Sequence, residues 1–284
     1  ERDGVLRFDN GAHLELTDAK VGLTLDRLLQ LHGVDGKPKS RHALGPTDAD
    51  AEAMAHFILE WPETATDLYK RYCDLRPEQP ISSSSAVGVQ PKGDESKPKE
   101  ETGSERLKKE PYVPPDGLRL SYERIPANGM GAKPIEKWQE FLTGGWLEIW
   151  LGSLIRQYRG EVAVNVNCFK DQRQFEVDVA AIRNCHLYLV SCTSDTTIDR
   201  CKLKLFEVAM RGRQMGGDLA RVALVSLLHG GNKQSEYVGL LQQDVNSVWE
   251  ASNTPRVFGL DDLKSWAGIQ QEPNCASLEA WLNG

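Results

Sequence analysis

The chain has 284 residues, 40% of them hydrophobic and 26% charged, and a net charge of −7. That is enough apolar sequence for one sizeable core plus an appendage. The acidic balance excludes a protein that coats nucleic acid non-specifically, which needs many Lys and Arg on phosphates, but leaves room for a small local cleft. No apolar run is long enough to span a membrane, and no signal peptide is expected. The six cysteines, Cys73, Cys168, Cys185, Cys192, Cys201 and Cys275, form no C-x-x-C pair and no zinc-spaced cluster, so a reducing cytoplasmic compartment is expected. The chain opens on Glu1 rather than Met and is read as part of a longer protein.

Three parts are predicted. Residues 1–79 read as a small α+β segment. Val5, Leu6 and Phe8 precede an Asp9-Asn10-Gly11 turn, and His13, Leu14 and Leu16 follow it. Thr24 caps a helix through Leu25, Leu28, Leu29 and Leu31 that ends at Gly33, and Thr47 or Asp48 starts a helical pattern over 47–76. Residues 80–117, rich in Ser, Lys, Glu, Gly and Pro, read as a disordered linker or insertion.

Residues 118–284 are regular. Leu118, Leu120 and Tyr122 suggest a strand, and Pro134 opens a helix with Trp138, Phe141 and Leu142 on one face. After Gly144-Gly145, an amphipathic helix carries Leu147, Trp150, Leu151, Leu154, Ile155 and Tyr158 at i, i+3, i+4, i+7 spacing. Val162, Val164 and Val166 alternate as a strand, and further strands follow at 175–182 and 186–193. A helix over about 199–214 carries Leu203, Phe206, Val208 and Met210 and stops at Gly216-Gly217. A buried strand over Arg221–Leu228, a helix over about 235–250, a strand at Arg256–Phe258 and two short helices close the chain. The order is αβββαβ with additions, an α/β fold around a mixed sheet flanked by helices.

The chemistry-bearing residues fall at one place in that order. In Phe175-Glu176-Val177-Asp178-Val179, period-2 alternation puts Glu176 and Asp178 on one face and the apolar residues on the other. Ser191 and Thr193 share a face of the next strand, and Glu148 sits at the edge of the apolar face of its helix. Glu148, Glu176 and Asp178 together would suit Mg²⁺ or Mn²⁺, hard cations that take oxygen ligands. Ser191 or Cys192 as a nucleophile would need a base, and only His186 is near in sequence, on the same strand. Trp138, Trp146 and Trp150 are read as core rather than as a base-stacking platform, and Arg211 and Arg213 as helix charges that need no function.

Gly144-Gly145-Trp146-Leu147-Glu148, then Phe175-Glu176-Val177-Asp178-Val179, then Ser191-Cys192-Thr193, then Gln214-Met215-Gly216-Gly217 resemble the endonuclease domain of CARF-linked effectors, accessory nucleases of type III CRISPR immunity within the PD-(D/E)XK superfamily. The resemblance covers roughly residues 118–284, and more weakly Leu23 to Gly33. It implies a restriction-endonuclease-like fold, Mg²⁺ or Mn²⁺ as cofactor, nucleic acid as partner, and a cyclic-oligoadenylate sensor upstream. It also implies a homodimer or a partner domain. By the resemblance Glu148 matches the helical glutamate, Asp178 the metal-binding aspartate and Glu176 the acidic residue before it. Ser191 and Thr193 stand where the family pattern has Glu and Lys. Losing a metal ligand and a water-orienting cation costs on the order of 10²–10³ in rate for each, so a catalytically impaired nuclease-like domain is expected. An active metal-dependent DNA or RNA endonuclease would need compensating groups from Lys202, Lys204 or Asp195. A purely structural dimerisation or nucleic-acid-binding module is the further alternative.

Overall fold

The computed structural model describes residues 5–7, 13–15, 23–39, 45–62, 137–138, 140–158, 160–183, 185–228, 235–249 and 253–283. The expected linker at 80–117, the strand at 118–122 and the second half of the 47–76 helix lie outside these residues.

The N-terminal strand pair is present as β1 (Val5–Arg7) and β2 (His13–Glu15), antiparallel. Helix α1 (Leu25–Leu31) starts on Thr24, whose Oγ1 accepts from Arg27 N at 3.2 Å, and is followed by Gly33 at φ 70°. Helix α2 (Asp48–Glu60) begins with a capping box: Asp50 N donates to Thr47 Oγ1 at 3.2 Å, and Thr47 N donates to Asp50 Oδ2 at 2.7 Å.

One six-stranded mixed sheet runs β3 (Asp35–Pro38), β4 (Glu161–Lys170), β5 (Arg173–Arg183), β6 (His186–Thr193), β7 (Arg221–Ser226), β8 (Arg256–Phe258). The pairings from β3 to β6 are antiparallel, and β6–β7 and β7–β8 are parallel. Helix α3 (Trp146–Arg156) precedes β4, and α4 (Ile198–Gly216) joins β6 to β7, so the αβββαβ order read from the pattern is the order in space. Helices α5 (Ser235–Val248), α6 (Leu260–Ala267) and α7 (Ala276–Asn283) complete the two layers. Helices α2, α3, α6 and α7 pack one face of the sheet through residues such as Met54, Trp150, Trp266 and Leu282. Helices α1, α4 and α5 pack the other through Leu29, Leu205 and Leu241.

Strand β3 was not legible as a strand. It contains Gly36 and Pro38, which suit a sheet edge where one row of backbone groups is unpaired. A Cβ on Gly36 would lie 2.6 Å from Leu29 Cδ1, so glycine lets α1 sit directly on this edge. The β4–β5 hairpin turns through Asp171 and Gln172, both at positive φ (49° and 65°), the backbone a two-residue turn of this hand requires.

Helix α4 corrects the expected apolar face. Leu203 and Met210 are exposed, and the buried stripe is Cys201, Leu205, Val208, Gly212 and Met215. Close approach to the sheet selects this small-residue face: a Cβ on Gly212 would lie 2.3 Å from Val222 Cγ1.

A second correction concerns the strands. Phe175, Val177 and Val179 were expected on one face, and Val162, Val164 and Val166 likewise. Phe175, Val177, Val166 and Cys168 pack with α1 and α4, whereas Val179, Ala181 and Val164 pack with α3, with Val162 against them. Both strands change layer at the same step. Rungs Val164↔Val179 and Val166↔Val177 flank Asn165 and Asp178, which form no rung themselves, and Asn165 has φ 55°. The left-handed residue breaks the period-2 pleat and sends each strand's apolar set to the opposite side.

Candidate functional site

The pleat break lies where β5 and β6 part. Their ladder runs from Arg183↔His186 to Val179↔Val190, while β6 stays paired with β7 as far as Thr193↔Ser226. The Asp178 carboxylate bridges the fork: Cys192 N donates to Oδ2 at 2.7 Å and Ser191 Oγ donates to the same oxygen at 3.0 Å.

Beside this fork a cavity of about 650 Å³ is lined by Gly144, Gly145 and Glu148 from the start of α3, Asn165 of β4, Glu176 of β5, Cys192 to Thr197 after the fork, Lys39 beyond β3, and Arg200 and Lys204 of α4. Asp178 and Ser191 do not line it but are joined to its wall through Cys192. Gly144 holds φ 151° in the turn before α3, and that turn delivers Glu148 in the helix's first turn.

A carboxylate in the first turn is ordinarily favoured by the helix dipole, by about 0.3–1 kcal/mol. Burial overrides this. It pushes the Glu148 carboxyl up to about 8, with the negative charges of Asp178 and Glu176 adding to the rise, while Lys204 and a hydrogen bond from Asn165 oppose it. Burial also raises Asp178, against Lys204 and the two hydrogen bonds from Cys192 and Ser191. Glu148 and Asp178 are thus a like-charged carboxyl pair held in poorly solvated surroundings.

The other expected residues are distributed around this pair. Glu176 forms an ion pair with Lys39 at 2.8 Å. Burial works against the Lys39 ammonium, but Glu176, with help from Glu140 and Glu148, holds its pKa above the ordinary value. Thr193 is on the cavity wall, and its Oγ1 accepts from Asp195 N at 3.1 Å. Asp195 also faces the cavity, but its carboxylate accepts from Thr197 and from Arg200 Nη1 at 2.9 Å. Against partial burial, those bonds hold its pKa below the usual carboxylate range. Lys204 lines the cavity with Nζ 3.5 Å from Cys192 O, whereas Lys202 pairs with Asp244 of α5 at 2.6 Å.

Among the described residues, no three His, Cys, Asp or Glu side chains gather closely enough to hold a metal ion. Glu148 and Asp178 are brought into one electrostatic unit, and Glu176 is turned to Lys39.

Lys39, Asn165 and Arg200 belong to the site and were missed. Lys39 follows the illegible edge strand, and Asn165 looks in sequence like the solvent-facing position of a Val-x-Val strand. Neither carries a periodic signal. Cys192 is no candidate nucleophile: it is buried, its thiol is pushed well above the ordinary value, and His186 is at the other end of β6. Trp138, Trp146 and Trp150 are core residues, as expected. Arg211 lies over the Phe175 ring at 4.2 Å, and Arg213 pairs with Asp218.

A six-stranded mixed sheet flanked by helices, in the order described, is consistent with a PD-(D/E)XK-like fold. Residues 135–244 match the family model described as Card1-like, endonuclease domain, in agreement with the resemblance read from the motifs. Can2 from Sulfobacillus thermosulfidooxidans, solved in complex with cyclic tetra-adenylate, superposes with a TM-score of 0.53 at 15% identity, over 100% of this chain and 65% of that one. Protein VC1899 from Vibrio cholerae superposes with a TM-score of 0.53 at 16% identity, over 98% of this chain and 65% of that one. At these identities the likeness is one of fold, and the chain spans about 65% of the length of either protein. Among curated proteins no relative matches the chain. Among the described residues no helix is long and apolar enough to cross a membrane.

Proposed function

We propose that this chain carries the nuclease-like domain of a CRISPR-type antiviral defence effector, with phosphodiester cleavage weakened by its own substitutions at β6. The observation that carries the reading is the bond from Ser191 Oγ to Asp178 Oδ2. Where the family pattern has a second carboxylate for the metal, this chain has a hydroxyl that serves the first one. Thr193 likewise brings no charge and is occupied by Asp195 N.

The residues present fit a hard divalent cation such as Mg²⁺ or Mn²⁺. Glu148 and Asp178 are oxygen donors whose carboxyl groups are both raised, a state that a neighbouring cation would relieve, and Asn165 Oδ1 beside them is buried without a partner among the described residues. Bound there, such an ion would supply Lewis-acid polarisation of a phosphodiester and a more acidic water. The chain's own part is positioning. Cys192 N and Ser191 fix Asp178, the α3 turn fixes Glu148, and Lys204 brings a positive charge to the cavity that would receive a phosphate, whereas Lys39 and Arg200 are committed to Glu176 and Asp195. Nucleic acid is the partner this cavity suits. An upstream cyclic-oligoadenylate sensor, a dimeric or multidomain assembly and a cytoplasmic setting belong to the same reading, supported by the family match and the Can2-like fold.

One observation favours a second reading, an active endonuclease in which Lys204 takes the place of the lysine absent from β6: Lys204 reaches the cavity from α4, with Nζ 3.5 Å from Cys192 O. Cleavage of single-stranded and duplex DNA and RNA in Mn²⁺ separates the two. Under the impaired reading the wild-type chain cleaves weakly, and Ser191→Glu with Thr193→Lys gains activity. Strong wild-type cleavage abolished by both Asp178→Ala and Lys204→Met would replace it with the active reading.

A further inference from the structure

We propose that Asn165 supplies a neutral oxygen ligand that, with Glu148 and Asp178, completes a divalent-cation site in place of the carboxylate missing from β6. The proposal rests on the reading of Glu148 and Asp178 as the cation-holding pair.

Asn165 Oδ1 is buried and accepts no hydrogen bond among the described residues. Leaving such an acceptor unpaired is costly, and native proteins retain few of them. The side chain is on the wall of the same cavity as Glu148.

The backbone points the same way. Asn165 holds φ 55° at the missing rung opposite Asp178. A residue other than glycine is uncommon there, and such conformations persist where the surroundings or a function demand them. Hard cations accept amide oxygens beside carboxylates. The competing oxygens nearby are engaged: the Ser191 hydroxyl with Asp178, Thr193 Oγ1 with Asp195 N, and Glu176 with Lys39.

The test is Mn²⁺ binding to the 284-residue chain, followed by calorimetry and by the electron paramagnetic resonance of free Mn²⁺, for wild type, N165G, N165D and D178A. Glycine takes positive φ freely and aspartate tolerates it, so both Asn165 variants keep the backbone, and thermal unfolding in EDTA checks this. We expect wild type to bind, D178A to lose binding, N165G to bind at least about tenfold more weakly, and N165D to bind more tightly. An Asn165 that only orients Glu148 through its N–H would make N165D weaker, because a like charge replaces a donor. That result, or unchanged affinity in both Asn165 variants while D178A is defective, overturns the proposal and leaves the carboxylate pair standing. A wild-type chain that binds no Mn²⁺ overturns both.

Discussion

Ser191 and Asp178 are joined hydroxyl to carboxylate at 3.0 Å, on the oxygen that Cys192 N also reaches. The strand hydroxyl is therefore part of the support for the buried aspartate. Ser191→Ala should lower stability by about 1 kcal/mol in urea unfolding, the usual worth of such a bond. Ser191→Glu should cost more in EDTA, because it places a second negative charge against Asp178, and added Mn²⁺ should restore much of the loss.

The raised carboxyl groups give the metal-free protein a definite pH response. Glu148 moves from an ordinary value of 4.5 to about 8, and Asp178 is also raised. The folded state therefore binds protons more tightly than the unfolded chain. The stabilisation this gives is full below about pH 4.5 and is lost as pH rises through about 8. Thermal unfolding in EDTA should show stability falling across this window, with a flatter profile in Glu148→Gln. Mn²⁺ affinity should rise over the same window, since the ion competes with the proton.

The two lysines of α4 should separate cleanly. Lys202 is committed to Asp244 on a partly exposed surface, so Lys202→Met should change stability by less than about 1 kcal/mol and leave oligonucleotide binding unchanged. Lys204→Met should weaken binding and reduce the slope of log affinity against log salt by about 1, as loss of one phosphate contact does. Fluorescence anisotropy at several salt concentrations measures both.

Gly152 bears on the site through packing. A Cβ there would fall 2.4 Å from Val164 Cγ2, on the strand residue next to Asn165. Gly152→Ala should destabilise by about 1–3 kcal/mol despite its better helix propensity. The strain should also reach the cavity, visible as weaker Mn²⁺ binding in protein that is still folded.

The element order, both terminal caps of the early helices and the position of the acidic strand were legible because each rests on a local rule: an apolar period, a capping side chain, a glycine stop. Other features depend on what an element meets. The buried stripe of α4 runs through Cys201 and Gly212 because the sheet comes close there, while Leu203 and Met210, apolar at plausible positions, face outward. Alternation failed at Asn165 because a left-handed residue there breaks the pleat, and a lone Asn between valines is too common a strand residue to announce it, although Asn tolerates positive φ better than most. Lys39 was invisible because an edge strand of Asp-Gly-Lys-Pro has no apolar code to read. Asp178, Glu148 and Lys204 were named as site residues from the motif order and from their nearness in sequence to it.

Strand β3 and Lys39 come from residues 35–39, almost a hundred positions before the family-matched segment, and β8 lies beyond its other end. A protein trimmed to 135–244 would uncover β4 and β7 on their outer sides and strip Glu176 of its counter-ion. Two raw sheet margins invite other chains to dock, so such a truncation should precipitate or self-associate where the longer chain stays monodisperse.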